Sequence, residues 1–464
     1  MGRRCRGTLL ALCLAALVIG STGEQVMPYG ARPGYAEASS PLAVLEVAQT
    51  EEPAGGEVTV LGPWTGPDLD SFWAVVEPFC ERHGIRVTFE STPDVPSVLA
   101  ARIAAGIPPD VSVLPGSGVV SDLARRGHLL PLDGALGSAL VKGRYPEGWL
   151  DTASLAGRLY GLPYRVANES IIWYNPEQFR RRRWTVPLTW KEMVTLSEQI
   201  AASGLSPWAL ALDGNAEPGE AGTDWIENIL LRSSGAEVYD RWVRHAIPWT
   251  DEAVRDAFRR WAEIVGRAKN LSGGVPRALQ MDQEEAIGLL YAGLPEAYLY
   301  LQGSTVVPRV VRRSFWQGAG RECDFFPMPP LRDDGETAVV ADVEALALLR
   351  ATQQSVALMR YLVSHEAEAA WVRRGGFIPA QCGTELREYA DPLSRRAARQ
   401  LAEAPVLRLD ASHQMPPPVA EAFREGVRRF VENPARLDAI LASVERVAQQ
   451  AYGPQGEGNE GPGG

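Results

Sequence analysis

Between Glu57 and Leu114 the chain alternates strand and helix patterns with very short connections. Glu57-Val58-Thr59-Val60-Leu61 reads as a strand, and Asp68 to His83 carries Leu69, Phe72, Val75, Val76 and Phe79 at helical spacing. Ile85 to Phe89 makes a second strand, Val95 to Ala105 a second helix, and Asp110 to Leu114 a third strand. That order implies parallel pairing with helical crossovers, so the fold class is α/β. In such sheets a ligand binds outside the carboxyl ends of the strands. The candidates there are Trp64 and Thr65, Glu90 and Ser91, and Pro115 to Gly118, which includes Gly116 and Ser117. Trp64 lies between Gly-Pro elements, poorly placed for a core and well placed to stack on a ligand. Asp110, at a strand start after two prolines, is expected to be structural.

The stretch from Gly157 to Pro176 joins a tight aromatic turn to a strand that begins polar (Arg165, Asn168, Glu169) and ends apolar (Ile171 to Tyr174). It reads as a crossover between two lobes. Tyr160-Gly161-Leu162-Pro163-Tyr164 is excluded from a helix, because Gly161 loosens the backbone and Pro163 fixes its own φ while extending Leu162. Such a segment fits either a cleft between lobes or an ordinary buried strand after a turn.

A chain of 464 residues is too long for a single core and implies two or three lobes. Arg3, Arg4 and Arg6 precede an apolar run from Thr8 to Ile19 and the small residues Gly20 to Gly23. This is the pattern of a secretory signal peptide, residues 1–23, or of an uncleaved anchor. Residues 24–56, rich in Ala, Gly, Pro, Ser and Glu, read as a flexible linker. Cys13 follows Leu12 inside the apolar run, so no lipid anchor is expected. The net charge is −11, and three units more negative without the leader arginines. That argues against nucleic acid or an anionic bilayer as a partner. Cys80, Cys323 and Cys382 are scattered singly, which allows one disulfide at most and makes buried free thiols the expectation. No metal-ligand spacing occurs, and neither a metal nor a cofactor is expected.

Further on, Thr189-Trp190-Lys191-Glu192 has capping-box spacing and starts a helix to about Ala202. Trp208 to Leu212 reads as a strand. Thr223-Asp224-Trp225 opens another helix, in which Asp224 is either a cap or a holder of ligand hydroxyls. Asp251 to Ala268 is an amphipathic helix, and Met281 to Tyr300, broken by Gly293 and Pro295, is core or cleft wall. In Thr337 to Leu349, Asp342 and Glu344 lie among apolar residues, so they stand at a turn or are partly buried with partners. Ser355 to Val372 is helical up to Gly375-Gly376. Helices over Pro418 to Val431 and Pro434 to Tyr452 precede a Gly-rich tail, 453–464, expected to be disordered.

Eight segments, in order, carry a family resemblance: WTGPDLDSFWAVVEPF (64–79), AARIAAGIPPDVSVLP (100–115), LARRGHLLPLD (123–133), YGLPY (160–164), WYNPEQF (173–179), VPLTWKEM (186–193), TDWIENILLR (223–232) and RRGGFIPA (373–380). The chain from about Glu57 to Tyr452 resembles the extracellular solute-binding proteins of bacterial ABC sugar importers, and within them the α-glucoside-binding branch. The resemblance implies a two-lobed periplasmic-binding-protein-like fold (type II) that closes on one sugar and docks on a membrane permease. It implies an N-terminal lobe over 57–164 plus 340–365 and a C-terminal lobe over 166–338 plus 366–452. Ligand contacts would fall at Trp64, Thr65, Glu90, Gly116, Ser117, Gly118, Asn168, Asp224, Trp225, Asp342, Gly376 and Phe377. The protein would be an exported monomer, periplasmic or at the cell surface, with no nucleic acid partner. One departure is AYLYLQGSTVVPR (297–309), where the branch has a Trp- and Arg-containing stretch.

A secreted glycoside hydrolase is the rival class, with Asp224 and Glu227, or Asp342 and Glu344, as acid and base. No motif fixes either pair at a working separation, and the five histidines lie far apart in sequence. A third possibility keeps the fold and changes the ligand to a polyamine, a metal chelate or a glycerophosphodiester.

Overall fold

The structure is a computed structural model that describes residues 55–453, apart from 137–140, 142, 147, 214–216, 317–322 and 333–336. The expected leader, nearly all of the linker, and the tail beyond 453 lie outside the described residues.

The first strands and helices form where the spacing predicts them. They are β1 (Glu57–Gly62), α1 (Gly66–His83), β2 (Arg86–Ser91), α2 (Val95–Ala104), β3 (Val111–Pro115) and α3 (Gly116–Arg125). β1 pairs in parallel with β2, from Glu57 opposite Arg86 to Gly62 opposite Ser91, and with β3 at Val60 and Val111. Asp110 is structural as expected: its carboxylate accepts from the Thr59 amide and hydroxyl, both at 2.8 Å, and so locks β3 to β1.

The central crossover is two strands rather than one. β4 (Gly161–Asn168) is buried throughout and belongs to the first sheet, while β5 (Ile171–Tyr174) belongs to the second. The expected turn at Gly161 to Tyr164 is therefore already strand. Only Glu169 and Ser170 separate the two.

Then follow α4 (Trp190–Ala202), α5 (Glu220–Ser234), α6 (Glu252–Val265), α7 (Gln283–Tyr291), β6 (Leu299–Leu301), α8 (Val307–Trp316), β7 (Asp324–Pro327) and β8 (Ala338–Leu348). The expected strand at Trp208 to Leu212 is reduced to isolated bridges from Trp208 to Leu271 and Leu299. The Thr189 cap does start α4, accepting from the Glu192 amide at 3.2 Å. The chain ends with α9 (Gln353–Leu362), α10 (His365–Val372), α11 (Pro392–Glu403), β9 (Val406–Leu409), α12 (Pro417–Glu432) and α13 (Leu437–Tyr452).

β8 ties the molecule together. Its early residues run parallel to β9, its later ones antiparallel to β3, and its other edge antiparallel to β4. The register against β4 shifts between Glu344 and Ala345, so that Ala345 faces Pro163, a residue with no amide to donate. Arg165 then falls directly opposite Glu344. The second sheet is antiparallel, in the order β6-β5-β7.

Two apolar cores flank these sheets. One gathers Val58, Phe72, Val113, Leu346 and Leu362, and also takes in Trp173, Leu290 and Tyr291. The other gathers Trp208, Trp225, Ile229, Trp261, Phe423 and Leu441. The boundary expected at 365/366 does not separate them: α10 packs on α1 and its Trp371 joins the first core, because its apolar face is covered there. Elements from the two halves also touch directly, α8 against α1 and α12 against α3. Among the described residues Cys80, Cys323 and Cys382 form no disulfide; Cys80 and Cys323 are half-buried, and Cys382 is exposed rather than buried.

Candidate functional site

The link Glu169-Ser170 is pinned on every side. Ser170 Oγ accepts from the Val340 amide at 2.8 Å and donates to Asn228 Oδ1 at 2.6 Å. The Asn228 amide in turn donates to the carbonyls of Glu169 (3.0 Å) and Asp224 (2.9 Å). Arg232 grips Asn228 Oδ1 at 2.7 Å, and burial with no carboxylate alongside lowers this guanidinium to about 9. Asn168, expected to contact ligand, is engaged in the same work: its Oδ1 accepts from the Ser170 amide at 2.9 Å and its Nδ2 donates to Gln400 at 2.9 Å.

Around this link stands an acid-rich cluster. α5 begins at Glu220, three residues earlier than expected, so Asp224 does not cap it. Gly219 ends the preceding loop at φ 101°, where a Cβ would collide with the Arg424 carbonyl of α12. Glu220, Asp224 and Glu227 thereby recur along one side of the helix. Glu227 accepts from the amides of Ala411 (2.7 Å) and Ser412 (3.1 Å) and from the Tyr239 hydroxyl (3.1 Å). Asp410 accepts from the Ser412 hydroxyl (2.7 Å) and the His413 amide (2.8 Å). His413 bridges Asp342 at 2.7 Å through Nδ1 and Glu217 at 3.1 Å through Nε2, and Arg424 stands 3.5 Å from Glu217.

The electrostatics follow from this arrangement. Burial lowers His413, but the charges of Asp342 and Asp410 and the hydrogen bonds to Asp342 and Glu217 outweigh it and raise the ring well above the ordinary imidazole value. Burial likewise raises Glu217, yet the His413 hydrogen bond and charge, with Arg424, hold it down at about 2. Glu220 is pushed up to about 8 by burial and then by Glu217. Glu169 and Asp224 are 7 % and 4 % exposed, and among the described residues neither carboxyl group has a hydrogen-bond partner. Burial pushes both well above the usual carboxylate range. The next contributions are the charge of Asp342 for Glu169 and the charge of Glu169 for Asp224.

The other predicted residues divide by location. Gly116, Ser117 and Asp342 line a crevice of about 20 Å³ together with Asp410 and His413. Gly118 donates its amide to the His413 carbonyl at 2.8 Å, and a side chain at Gly116 would collide with His413. The glycines thus let α3 approach the loop after β9. Trp64, expected on an exposed loop, is only 2 % exposed. It stacks on Phe89 with ring centroids 5.7 Å apart, meets Trp371 edge-on, and donates its indole N–H to Glu344 at 2.9 Å. Trp225 is buried against Trp208 in the second core, and Phe377 stacks on Trp371 in the first. Gly376 presses on Pro308, Thr65 is exposed, and Glu90 forms an ion pair with Arg102.

Sequence reasoning missed Glu169, Glu217, Glu220, Asp410 and His413 as site residues. The repeat of acids at 220, 224 and 227 was a readable signal, and so was the polar loop Asp410 to Gln414 after a strand. Ligand atoms of Glu217, Glu220 and His413 lie within 4.8 Å of one another, a spacing that can hold a metal ion. Here, however, both His413 nitrogens face carboxylates and Arg424 is beside Glu217, an arrangement of internal charge compensation.

Residues 64–369 match the model of the bacterial extracellular solute-binding protein family. The chain is 32 % identical to the osmoprotective compounds-binding protein GgtB of Synechocystis sp., over 84 % of this chain and 92 % of that one. It is 29 % identical to the α-glucosides-binding periplasmic protein AglE of Rhizobium meliloti, over 95 % of this chain and 98 % of that one. Among solved structures, the bacterial solute receptor AcbH, described as having an exclusive preference for β-D-galactopyranose, superposes with a TM-score of 0.75 at 19 % identity. That match covers 86 % of this chain and 100 % of the other, and it bears on fold alone.

Proposed function

The chain belongs to the bacterial extracellular solute-binding proteins, and we propose that it is the sugar-capturing component of an ABC importer, taking an α-glucoside or another small saccharide between its two lobes. The observation that carries this reading is the acid-rich cluster at the β4–β5 link, where carboxyl groups from both halves converge and two have no hydrogen-bond partner among the described residues. Sugar hydroxyls supply the donors such groups lack. The α-glucoside assignment is supported by the likeness to AglE over nearly the whole chain.

The crevice at the cluster has room for about one water and not for a hexose ring. Capture therefore begins with the halves apart and ends with closure, bending at the strands that pass between sheets. In this reading the protein is an exported monomer that delivers its ligand to a permease, with its N-terminus as a leader or tether.

It acts as a binder and not as a hydrolase. Of the two acid pairs a hydrolase would use, Glu227 is held by two amides and a tyrosine, and Glu344 by Trp64 with Arg165 nearby, so one member of each pair is already engaged within the protein. A cationic ligand is the second reading, favoured by the excess of acids over bases in the cluster.

The test is a thermal-shift series with glucose, maltose, trehalose, sucrose, maltodextrins, a polyamine and a glycerophosphodiester. A ligand bound only by the folded state raises the melting temperature by mass action. A shift with a neutral saccharide recovered intact is the expected result. A shift with the polyamine alone favours the second reading, and cleavage of the sugar makes the protein an enzyme.

A further inference from the structure

We propose that Glu227, Asn228 and Arg232 of α5 are positioning residues that couple three connections between the halves, so that these connections bend as one. Their part in ligand capture rests on the reading given above; the coupling itself does not.

The chain passes between the two sheets and cores at the β4–β5 link, on its return into β8 and on leaving β9, and α5 holds it at each place. At the β4–β5 link, the Asn228 amide donates to the Glu169 carbonyl at 3.0 Å and its Oδ1 accepts from the Ser170 hydroxyl at 2.6 Å. At the return into β8, Arg232 donates to the Ala338 carbonyl at 2.5 Å. At the exit from β9, Glu227 accepts from the Ala411 and Ser412 amides at 2.7 and 3.1 Å. The Tyr239 hydroxyl reinforces that hold, reaching Glu227 at 3.1 Å and the Leu409 carbonyl at 3.0 Å.

These holds depend on one another. Asn228 and Arg232 stand one helical turn apart, and the guanidinium donates to Asn228 Oδ1 at 2.7 Å, which fixes the end of the amide that faces Glu169. Ser170 ties the first connection to the second, because its hydroxyl also accepts from the Val340 amide at 2.8 Å. Glu227 precedes Asn228 directly on the helix. All three side chains belong to residues that are 4 % exposed or less, so water does not replace a lost partner.

The helix itself is anchored on one side only. Its Trp225, Ile226, Ile229, Leu230 and Leu231 lie in the second core, whereas β4, β8 and β9 are strands of the first sheet. Movement of one half against the other therefore turns three strands against a single rigid element. Separate tethers would let each strand bend alone. Neighbouring side chains on one helix make the three bends a single event.

Hydrogen exchange of the ligand-free protein tests the coupling, with Glu227→Gln and Arg232→Met as variants. Glu227→Gln is expected to speed exchange at Ala411 and Ser412, whose amides it touches, and by about fivefold or more at Ser170 and Val340, whose amides it does not touch. Arg232→Met is expected to speed exchange at Ala411 and Ser412 by about the same factor. The amides of Val58 to Leu61 in β1 keep their wild-type rates. Acceleration confined to the connection nearest each substitution, or shared equally by β1, overturns the proposal. If Arg232→Met does not fold, the isosteric Glu227→Gln carries the same test. Maltose, sucrose and trehalose are then titrated. A sugar bound by the wild type is expected to slow exchange at all three connections together and to bind each variant about threefold or more weakly. Equal affinity for wild type and variants overturns the positioning role. If none of these sugars binds the wild type, the sugar-binding reading fails and the role in capture with it, while the ligand-free rates decide the coupling by themselves.

Discussion

Asp342 and Glu344 stand on the same face of β8, two residues apart, and belong to opposite kinds of charge cluster. Around Glu344 the charges balance: Arg165 lies 3.8 Å from Glu344 and 3.4 Å from Asp68, Arg309 is 3.5 Å from Asp68, and the Trp64 indole donates to Glu344. Around Asp342 they do not, since Glu169, Glu217, Glu220, Asp224, Glu227 and Asp410 share the neighbourhood with His413 and Arg424 as bases. A balanced buried cluster is a structural device that aligns a strand pair. An unbalanced one is stable only through hydrogen bonds and protonation, and it leaves capacity for a ligand.

The largest expected effect breaks the balanced cluster. Arg165→Met removes the guanidinium that lies opposite Glu344 and beside Asp68 while keeping most of the apolar stem. Leaving buried carboxylates uncompensated costs about 3–5 kcal/mol, read as a fall in the urea midpoint. A loss below about 1 kcal/mol would mean that the two clusters do not differ in kind.

The unbalanced cluster is expected to show itself in pH dependence. Glu169 and Asp224 hold their protons more tightly folded than unfolded, and Glu220 does so up to about 8. From about pH 4.5 upward the unfolded chain therefore releases protons that the folded chain keeps, and stability falls as pH rises. His413 acts in the same direction, because its raised folded value gives stability present below about 6.5 and lost as pH climbs through that value. Glu217 is the opposite case: held at about 2, it contributes stability above the usual carboxylate value that disappears in acid. Denaturant melts between pH 5 and 8 should therefore slope downward. Replacing both Glu169 and Asp224 by their amides should flatten that slope, by up to about 1.4 kcal/mol per pH unit for each proton removed. An unchanged slope would place the linked protons elsewhere.

Much of the balanced side was legible in the sequence, and little of the unbalanced side. The β1-α1-β2-α2-β3 order follows from local periodicity, which a single chain displays openly. Arg165 and Glu344 meet only because a register shift at Pro163 aligns two strands far apart in sequence. Trp64 was misread as exposed, since its flanking Gly and Pro describe the backbone while its burial depends on Trp371, contributed by α10. His413 looked isolated among scattered histidines, and its partners come from β8 and from the loop before α5. Glu169 was visible as a polar residue at a crossover. That its carboxyl group has no hydrogen-bond partner among the described residues depends on where its neighbours' own partners lie, which no local pattern carries.

The smallest expected effect asks whether the balanced cluster also helps hold the halves together. Arg309, on α8, reaches Asp68 on α1 at 3.5 Å and also Gln283 and Glu284 of α7, at 3.2 and 3.4 Å. Its side chain is partly exposed, and Asp68 keeps Arg165 when Arg309 is lost, so Arg309→Gln should change stability by no more than about 1 kcal/mol. The change should instead fall on the equilibrium between separated and closed halves. If the pair favours closure, its loss lowers the closed fraction and weakens the apparent affinity for a bound sugar by about threefold, although no atom that touches the ligand has been altered. Small-angle scattering of the ligand-free variant would then give a larger radius of gyration than the wild type. Unchanged affinity and radius would make Arg309–Asp68 an ordinary surface contact, and the balanced cluster would be confined to aligning β4 with β8.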